Sequence, residues 1–323
     1  MTQSSNAPSQ WQQRIEGEWH GIPSIFDARG NHVGYNKVYR SSVFEHGQTV
    51  YYMDTRLHDM SGPLHPRLEA TKFAFGVIDS DQDRVYLGPD FFGEGQPYGG
   101  LVDSNYYSPA WQADLRTLVH ILPDGKTQVY SSQLYEGPTL LSVFNGIYRN
   151  VSDYHTNPAT RASIEAFCET EKVNGRQPHA LPEKHAGVWT GDLEVYGEDQ
   201  KKVGVTHVSM RYRPIALLRA EVTVEMTGAI ERSFTYTRFR NGNLHTFDGP
   251  GIYGNGLSYG RALYTIQHFY GEAAKIRGRE FIIDDNYTMS AVWQYLRSDR
   301  LRNYLFGVLT WTPGEQVLTP RQR

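Results

Sequence analysis

Gly249-Pro250-Gly251-Ile252-Tyr253-Gly254-Asn255-Gly256-Leu257-Ser258-Tyr259-Gly260 has an echo 161 residues earlier, Gly88-Pro89-Asp90-Phe91-Phe92-Gly93-Glu94-Gly95-Gln96-Pro97-Tyr98-Gly99. One gapless register aligns the Gly-Pro pair, two later glycines and the closing Tyr-Gly. The same register pairs Phe73 with Phe234 and Phe75 with Tyr236 upstream. Downstream it pairs Ala113 with Ala274, Arg116 with Arg277, Asp124 with Asp285, Gln133 with Gln294 and Gly146 with Gly307. The chain is two copies of one unit.

The openings of the copies align at a different offset. Gly17-Glu18-Trp19-His20-Gly21 matches Gly187-Val188-Trp189-Thr190-Gly191 at 170, so the first unit carries about nine extra residues before Phe73. The segment Leu57–Pro66, with Gly62, Pro63 and Pro66, reads as the insertion. A length of 323 residues suits two domains of ordinary size. A net charge of −3 and a pI near 6.5 imply no broad basic surface, so no nucleic-acid partner is expected. The single cysteine, Cys168, excludes a disulfide framework and a cysteine-rich metal site. Residues Met1–Gln10 are polar, without the apolar core of a signal peptide, and no run approaches a membrane span. A cytoplasmic protein with no membrane insertion is the expectation. Aromatic residues make up 13%, with 22 tyrosines, which favours strands over helices dominated by Ala and Leu.

Short runs with period-2 alternation fill both units. In Glu221–Met226 the odd positions are polar and the even ones apolar, so one face is buried. Leu115–Leu122 and Gln128–Leu134 flank Asp124-Gly125, and Lys275–Ile283 and Thr288–Leu296 flank Asp285-Asn286. Both read as hairpins whose turn residues tolerate positive φ. Turn signals every eight to twelve residues favour an up-and-down barrel or a sandwich of roughly eight to ten strands per unit. Trp11, Ile15 and Trp19, at i, i+4 and i+8, suggest a short helix leading into the first strand. A second helix is expected at Pro158–Val173, with Ile164, Phe167 and Cys168 as its apolar face, a stop at Asn174-Gly175, and a role leading into unit two. The expected organisation is a disordered tail at 1–10, a barrel at 11–152, a helix and linker at 153–186, a second barrel at 187–312 and a tail at 313–323.

The glycine spacings Gly93-x-Gly95-x-x-x-Gly99 and Gly254-x-Gly256-x-x-x-Gly260 resemble dinucleotide loops, but that chemistry needs a following helix. Ala262–Ile266 reads instead as a strand, so bent or bulged strands near a barrel mouth are the better reading. Gly256-Leu257-Ser258-Tyr259-Gly260 matches the hydrolase elbow, yet His268 is the last histidine and no acid separates it from Ser258. The twelve histidines include no His-x-x-x-His pair. The sequons at Asn150 and Asn286 lack a secretory context. No metal and no cofactor are expected.

The openings at Trp19 and Trp189, each a Gly-x-Trp before a strand meander, resemble those of the calycin group of lipocalin-like barrels. In tandem form the chain resembles two-barrel lipocalin-like proteins of bacteria and, more distantly, carotenoid hydratases and natural-product cyclases of similar build. That resemblance implies an all-β fold of two tandem antiparallel barrels, each preceded by a short helix, and covers about residues 11–312. It carries no catalytic residue.

The polar residues that differ between the copies are the place for chemistry. Unit two has His245, Tyr259 and Arg261 where unit one has Arg84, Tyr98 and Gly100, and Tyr253 where unit one has Phe92. His245, Asp248, Tyr253, Tyr259 and Arg261 could supply an acid, a base and an oxyanion donor. Tyr98, Asp90, Phe92, His268 and Trp293 are the expected ligand contacts. Two functions follow. One is a cofactor-independent isomerase, cyclase or hydratase acting on a hydrophobic polyketide- or terpenoid-like molecule in an aromatic pocket. The other is a non-catalytic carrier of a hydrophobic ligand or pigment, for which the aromatics suffice. A homodimer is compatible with either.

Overall fold

The computed structural model describes residues 7–61, 64, 70–179, 186–284 and 287–314. The expected terminal tails, the linker and the Asp285-Asn286 turn lie largely or wholly outside the described residues, as do four of the ten residues of the expected insertion. Two compact units emerge, Met1–Pro178 with Tyr259–Arg261, and His179–Ser258 with Ala262–Arg323. Each is built on one closed antiparallel barrel.

The first unit begins with α1 (Gln10–Ile15), capped by the Ser9 hydroxyl, which accepts from the Gln12 amide. Then come β1 (Gly17–Gly21), β2 (Ser24–Asp27), β3 (His32–Glu45), β4 (Gln48–His58) and β5 (Ala70–Asp79). The meander continues through β6 (Arg84–Leu87), β7 (Phe92–Tyr98), β8 (Leu101–Ser108), β9 (Ala113–Ile121), β10 (Thr127–Glu136) and β11 (Thr139–Val151). From β3 to β11 every strand pairs with its sequence neighbour. Closure falls to β1 and β2, which act as one strand broken at Ile22-Pro23, because both pair with β3 on one side and β11 on the other. Proline cannot donate to a ladder, so a break there is where the chain tolerates it.

Trp19 explains the opening motif. Its ring is fully buried, and its Nε1–H donates to the Ile15 carbonyl at 2.8 Å, satisfying one of the orphan acceptors at the end of α1. Helical spacing had linked Trp19 to Trp11 and Ile15; the structure ends the helix at Ile15 and places Trp19 on β1, in the same apolar cluster. Arg40 lies over this ring at 5.6 Å and donates to Gln128 Oε1 at 2.7 Å.

The helix α2 (Pro158–Asn174) is capped by Asn157 and ends at Gly175. Its buried Ile164 and Cys168 pack with Ile22 and Tyr35, so it belongs to the first unit rather than serving as an entry to the second. Eleven residues separate β4 from β5, and this longer connection carries Leu64 into an apolar cluster with Ile25, Val33 and Phe144.

The second barrel runs through β12 (Gly187–Gly197), β13 (Lys202–Ala216), β14 (Arg219–Gly228), β15 (Arg232–Asn241), β16 (Leu244–Gly249) and β17 (Ile252–Tyr259). It closes through β18 (Ala262–Phe269), β19 (Ala274–Ile282), β20 (Thr288–Arg297) and β21 (Arg300–Pro313). Three residues join β14 to β15, against eleven in the first copy, which accounts for eight of the nine residues by which the offset changes. Trp189 stacks near Trp311, ring centroids 5.4 Å apart, where β12 meets β21.

The repeated glycine stretch is strand, not loop. Gly254 faces inward on β17, where a Cβ would lie 2.3 Å from the Ile266 carbonyl; its counterpart Gly93 would collide with Asn105 O and Tyr106. The glycines therefore let β17 and β7 press against their neighbours. Gly99 and Gly260, at φ near +60°, close each Tyr-Gly turn. The following elements, β8 and β18, are strands, so neither a dinucleotide loop nor a hydrolase elbow forms. Ser258 lies within β17 and its hydroxyl donates to Asn243 O at 3.3 Å.

Candidate functional site

Strand alternation sorts the side chains of the second barrel. On β15 the even positions Phe234, Tyr236 and Arg238 point inward; on β16 His245 and Phe247 do, and on β13 Val208, Met210 and Tyr212. Glu280 on β19 and Trp293 on β20 are buried as well. Four strands thus bring an arginine, a histidine, a glutamate and two tyrosines into a largely apolar barrel.

Arg238 is the hub. Its Nη1 donates to the Tyr212 hydroxyl at 2.8 Å and its Nε to His245 Nδ1 at 3.1 Å. Among the described residues no carboxylate lies within ion-pair distance of it. Arginine can only donate, so His245 Nδ1 carries no proton and the neutral ring holds its hydrogen on Nε2. That Nε2–H is buried with no hydrogen-bond partner. Burial first, then the charge of Arg238 and the neighbouring His179, push the His245 pKa down to about 2. His245 is a neutral donor at any working pH. His179, 3% exposed, also has both ring nitrogens without a partner.

Glu280 answers Arg238 at longer range. Burial raises its pKa above the ordinary carboxyl value, while Arg238 and the Trp293 indole pull it back down. Tyr236 is likewise raised, chiefly by burial, and bonds Gln267. Above this cluster an aromatic column runs along the barrel: Tyr236 packs edge-on to Phe247 at 5.4 Å and stacks with Phe234, which meets Phe269 at 5.1 Å. Arg232 lies 3.8 Å over the Phe269 ring and is held by two bonds to Glu272, at 2.9 and 3.0 Å.

The first barrel lacks this set. The 161 register puts Val77, Val119, Phe75 and Ser132 where the second has Arg238, Glu280, Tyr236 and Trp293. Its own buried arginine, Arg84, stands at the His245 position and is neutralised by Asp79, with a further bond to the Tyr51 hydroxyl at 3.1 Å. A second inward arginine of this barrel, Arg40, resembles Arg238 in being held by a neutral partner, Gln128 Oε1 at 2.7 Å.

Of the residues singled out in the sequence, the structure brings together His245 and Trp293 inside the second barrel. Asp248 and Tyr253 pair across β16 and β17 on the outer face, both exposed, and His268 alternates outward between Gln267 and Phe269. Tyr259 and Arg261 group with the first unit, where Arg261 forms an ion pair with Glu171. In that unit Tyr98 is fully buried and donates to Gln96 at 3.1 Å, Phe92 is exposed, and Asp90 sits in the exposed turn before β7. Arg238, Tyr212, Tyr236, Glu280 and His179 were not among the expected site residues. For all but His179, which lies before β12, the signal was the parity of their strands, which puts a charge among Phe234, Tyr236 and other inward positions.

No family model and no curated protein matches this chain. Its fold is known. A protein of unknown function from the DUF3598 family of Nostoc punctiforme PCC 73102 superposes over 95% of this chain and 100% of its own, with a TM-score of 0.57 and 12% identity. Weaker likenesses include the S-type phycobiliprotein lyase CPES from Guillardia theta, TM-score 0.35 at 8% identity over 44% of this chain and 92% of that one. Kievitone hydratase from Nectria haematococca gives 0.20 at 8% identity over 97% and 93%. With the Nostoc protein, at 12% identity, what is shared is the fold. Among the described residues no helix is long and apolar enough to cross a membrane.

A neutral buried histidine has a thermodynamic signature. In the unfolded chain His245 takes up a proton below its ordinary pKa of 6.5; in the folded barrel it stays neutral to about pH 2. Its folded pKa is depressed, so the stability present above pH 6.5 is lost as the pH falls, at about 1.4 kcal/mol per pH unit. Denaturant unfolding at pH 7 and pH 5 should show His245→Gln losing about 2 kcal/mol less than the parent over that interval. Equal losses would mean that His245 is not held neutral.

Proposed function

We propose that the chain is a cofactor-independent enzyme that moves a proton on an apolar, oxygen-bearing small molecule within the second barrel. Isomerases, cyclases and hydratases of polyketide- or terpenoid-like molecules work in this way. The observation that carries the reading is the orphan Nε2–H of His245 beside an arginine with no contacting carboxylate. A buried donor without a partner costs about 1–3 kcal/mol, and a ligand oxygen would relieve it.

In this reading a ligand carbonyl oxygen accepts from His245 Nε2–H while Arg238 stabilises the charge that develops on it. The Glu280 carboxylate, made more basic by burial, takes the proton from the adjacent carbon. For a β,γ-unsaturated ligand it then returns the proton to the γ-carbon of the dienolate, a double-bond shift that consumes no oxidant or reductant. The aromatic column from Phe269 to Phe247 would hold the apolar body of the ligand.

Native mass spectrometry of the protein from its own source, with chromatography of the extracted compound, tests the reading. The parent and Glu280→Gln should release related but different compounds, isomers or a pair differing by water. With the parent's compound added, turnover should fall at least about tenfold in Glu280→Gln. If both proteins release one unaltered compound, the chain is a carrier, a role for which the aromatic column alone suffices.

A further inference from the structure

The first unit has a cleft of about 750 Å³ lined chiefly by outward-facing side chains of β1, β3, β4 and β5 and by Tyr154, His155 and Cys168. Its floor follows from strand parity. Trp19 points inward, so Glu18 and His20 point outward on β1, as Lys37 and Tyr39 do on β3. Register then makes a row across four strands: His20 opposite Tyr39, Tyr39 opposite Asp54, Asp54 opposite Lys72. Arg56 stands opposite Lys37 in the next row.

One end of the cleft is aromatic. His20, Tyr39, His155 and Tyr154 form a ring of four contacts, with centroids 5.0, 5.4, 5.2 and 4.0 Å apart in turn. His20 is 4% exposed and its Nε2 makes no hydrogen bond, since Glu18 Oε2 stands off at 3.9 Å. Burial, then His155, lowers the His20 pKa to about 4, so the ring is neutral. The other end is basic. Arg56 and Lys72 share the single carboxylate of Asp54, at 3.5 and 3.3 Å, while Lys37 is already matched by Glu165 at 2.9 Å. Among the described residues, one positive charge at the Arg56–Lys72 end has no counter-ion.

We infer that this cleft is a second small-molecule site, for a flat apolar molecule carrying one anionic group. The body would lie against Tyr39 and Tyr154 with a polar atom on His20 Nε2, and the anion would meet Arg56 and Lys72. The inference is independent of the chemistry assigned to the second barrel.

The matched probes 8-anilinonaphthalene-1-sulfonate and N-phenyl-1-naphthylamine, one skeleton with and without the sulfonate, test it by fluorescence titration of the full chain. The parent should bind the sulfonate at least about tenfold more tightly than the neutral probe, a difference that shrinks with added salt. Arg56→Glu/Lys72→Glu, at exposed positions, should abolish that preference and leave the neutral probe's affinity in place. His20→Phe, which keeps the ring stack, should weaken the sulfonate. Phe234→Ala, which alters the ligand column proposed for the second barrel, should leave the preference for the sulfonate at the cleft in place. Equal binding of the two probes, or a sulfonate affinity that responds to Phe234→Ala and not to the cleft variants, would overturn the assignment.

Discussion

Replacing Arg238 by methionine is expected to lower the stability of the second barrel by about 3–5 kcal/mol, more than its loss of packing would cost. Methionine matches the stem of the side chain, so the change isolates the guanidinium. Its removal leaves the Tyr212 hydroxyl and His245 Nδ1 without their donor and takes away the one cation that draws the Glu280 pKa down. The sign with pH is fixed by Glu280. Its folded pKa is already raised, so its contribution is favourable when protonated and is lost as the pH rises through that value. Without Arg238 the folded pKa climbs further, and the destabilisation grows as the pH rises above the ordinary carboxyl range. The double variant Arg238→Met/Glu280→Gln removes the buried charge and should recover about 1–3 kcal/mol. Denaturant unfolding of the four proteins of this cycle measures the coupling. Additivity within about 0.5 kcal/mol would mean that Arg238 and Glu280 do not sense each other.

Parity explains what was legible. The duplication, the meander and the two barrels follow from one register of 161 residues and from alternation that a single sequence displays. The α2 boundaries follow from Pro158 and Asn174-Gly175 in the same way. The site was harder. His245 and Asp248 lie three residues apart, and an odd separation on one strand puts them on opposite faces, so proximity in the chain misled. The same rule, applied to Phe234, Tyr236 and Arg238, identifies an inward charge. What no single strand reveals is which inward residues converge. Tyr212, Arg238, His245 and Glu280 come from four strands, β13, β15, β16 and β19, and their meeting depends on barrel closure. The contrast between the copies carries further than either alone. Arg84 is neutralised by Asp79, whereas Arg40 and Arg238 are held by neutral partners, Gln128 for the first and Tyr212 with His245 for the second.

Trp19→Ala is expected to cost the first unit about 3–5 kcal/mol, the range for a fully buried tryptophan. At about 2–4 °C per kcal/mol for a unit of this size, its thermal transition should move down by roughly 6–20 °C. The transitions of the two units must be resolved separately, since a two-unit chain does not have to melt in one step. The physical argument goes beyond volume. The helix α1 has only six residues, far too few to be stable alone, and it is held by the packing of Trp11 and Ile15 and by the Trp19 indole on the Ile15 carbonyl. Alanine removes the ring, the donor and the surface over which Arg40 lies at 5.6 Å. Hydrogen exchange should therefore report α1 opening locally in Trp19→Ala while the ladder of β8 to β10 keeps its protection. Trp19→Phe, which keeps most of the ring and loses only the donor, should cost about 1–2 kcal/mol and expose α1 in the same order. If α1 stayed protected in both variants, the Gly-x-Trp motif would be serving the strand alone, and the helix would owe its place to Trp11 and Ile15.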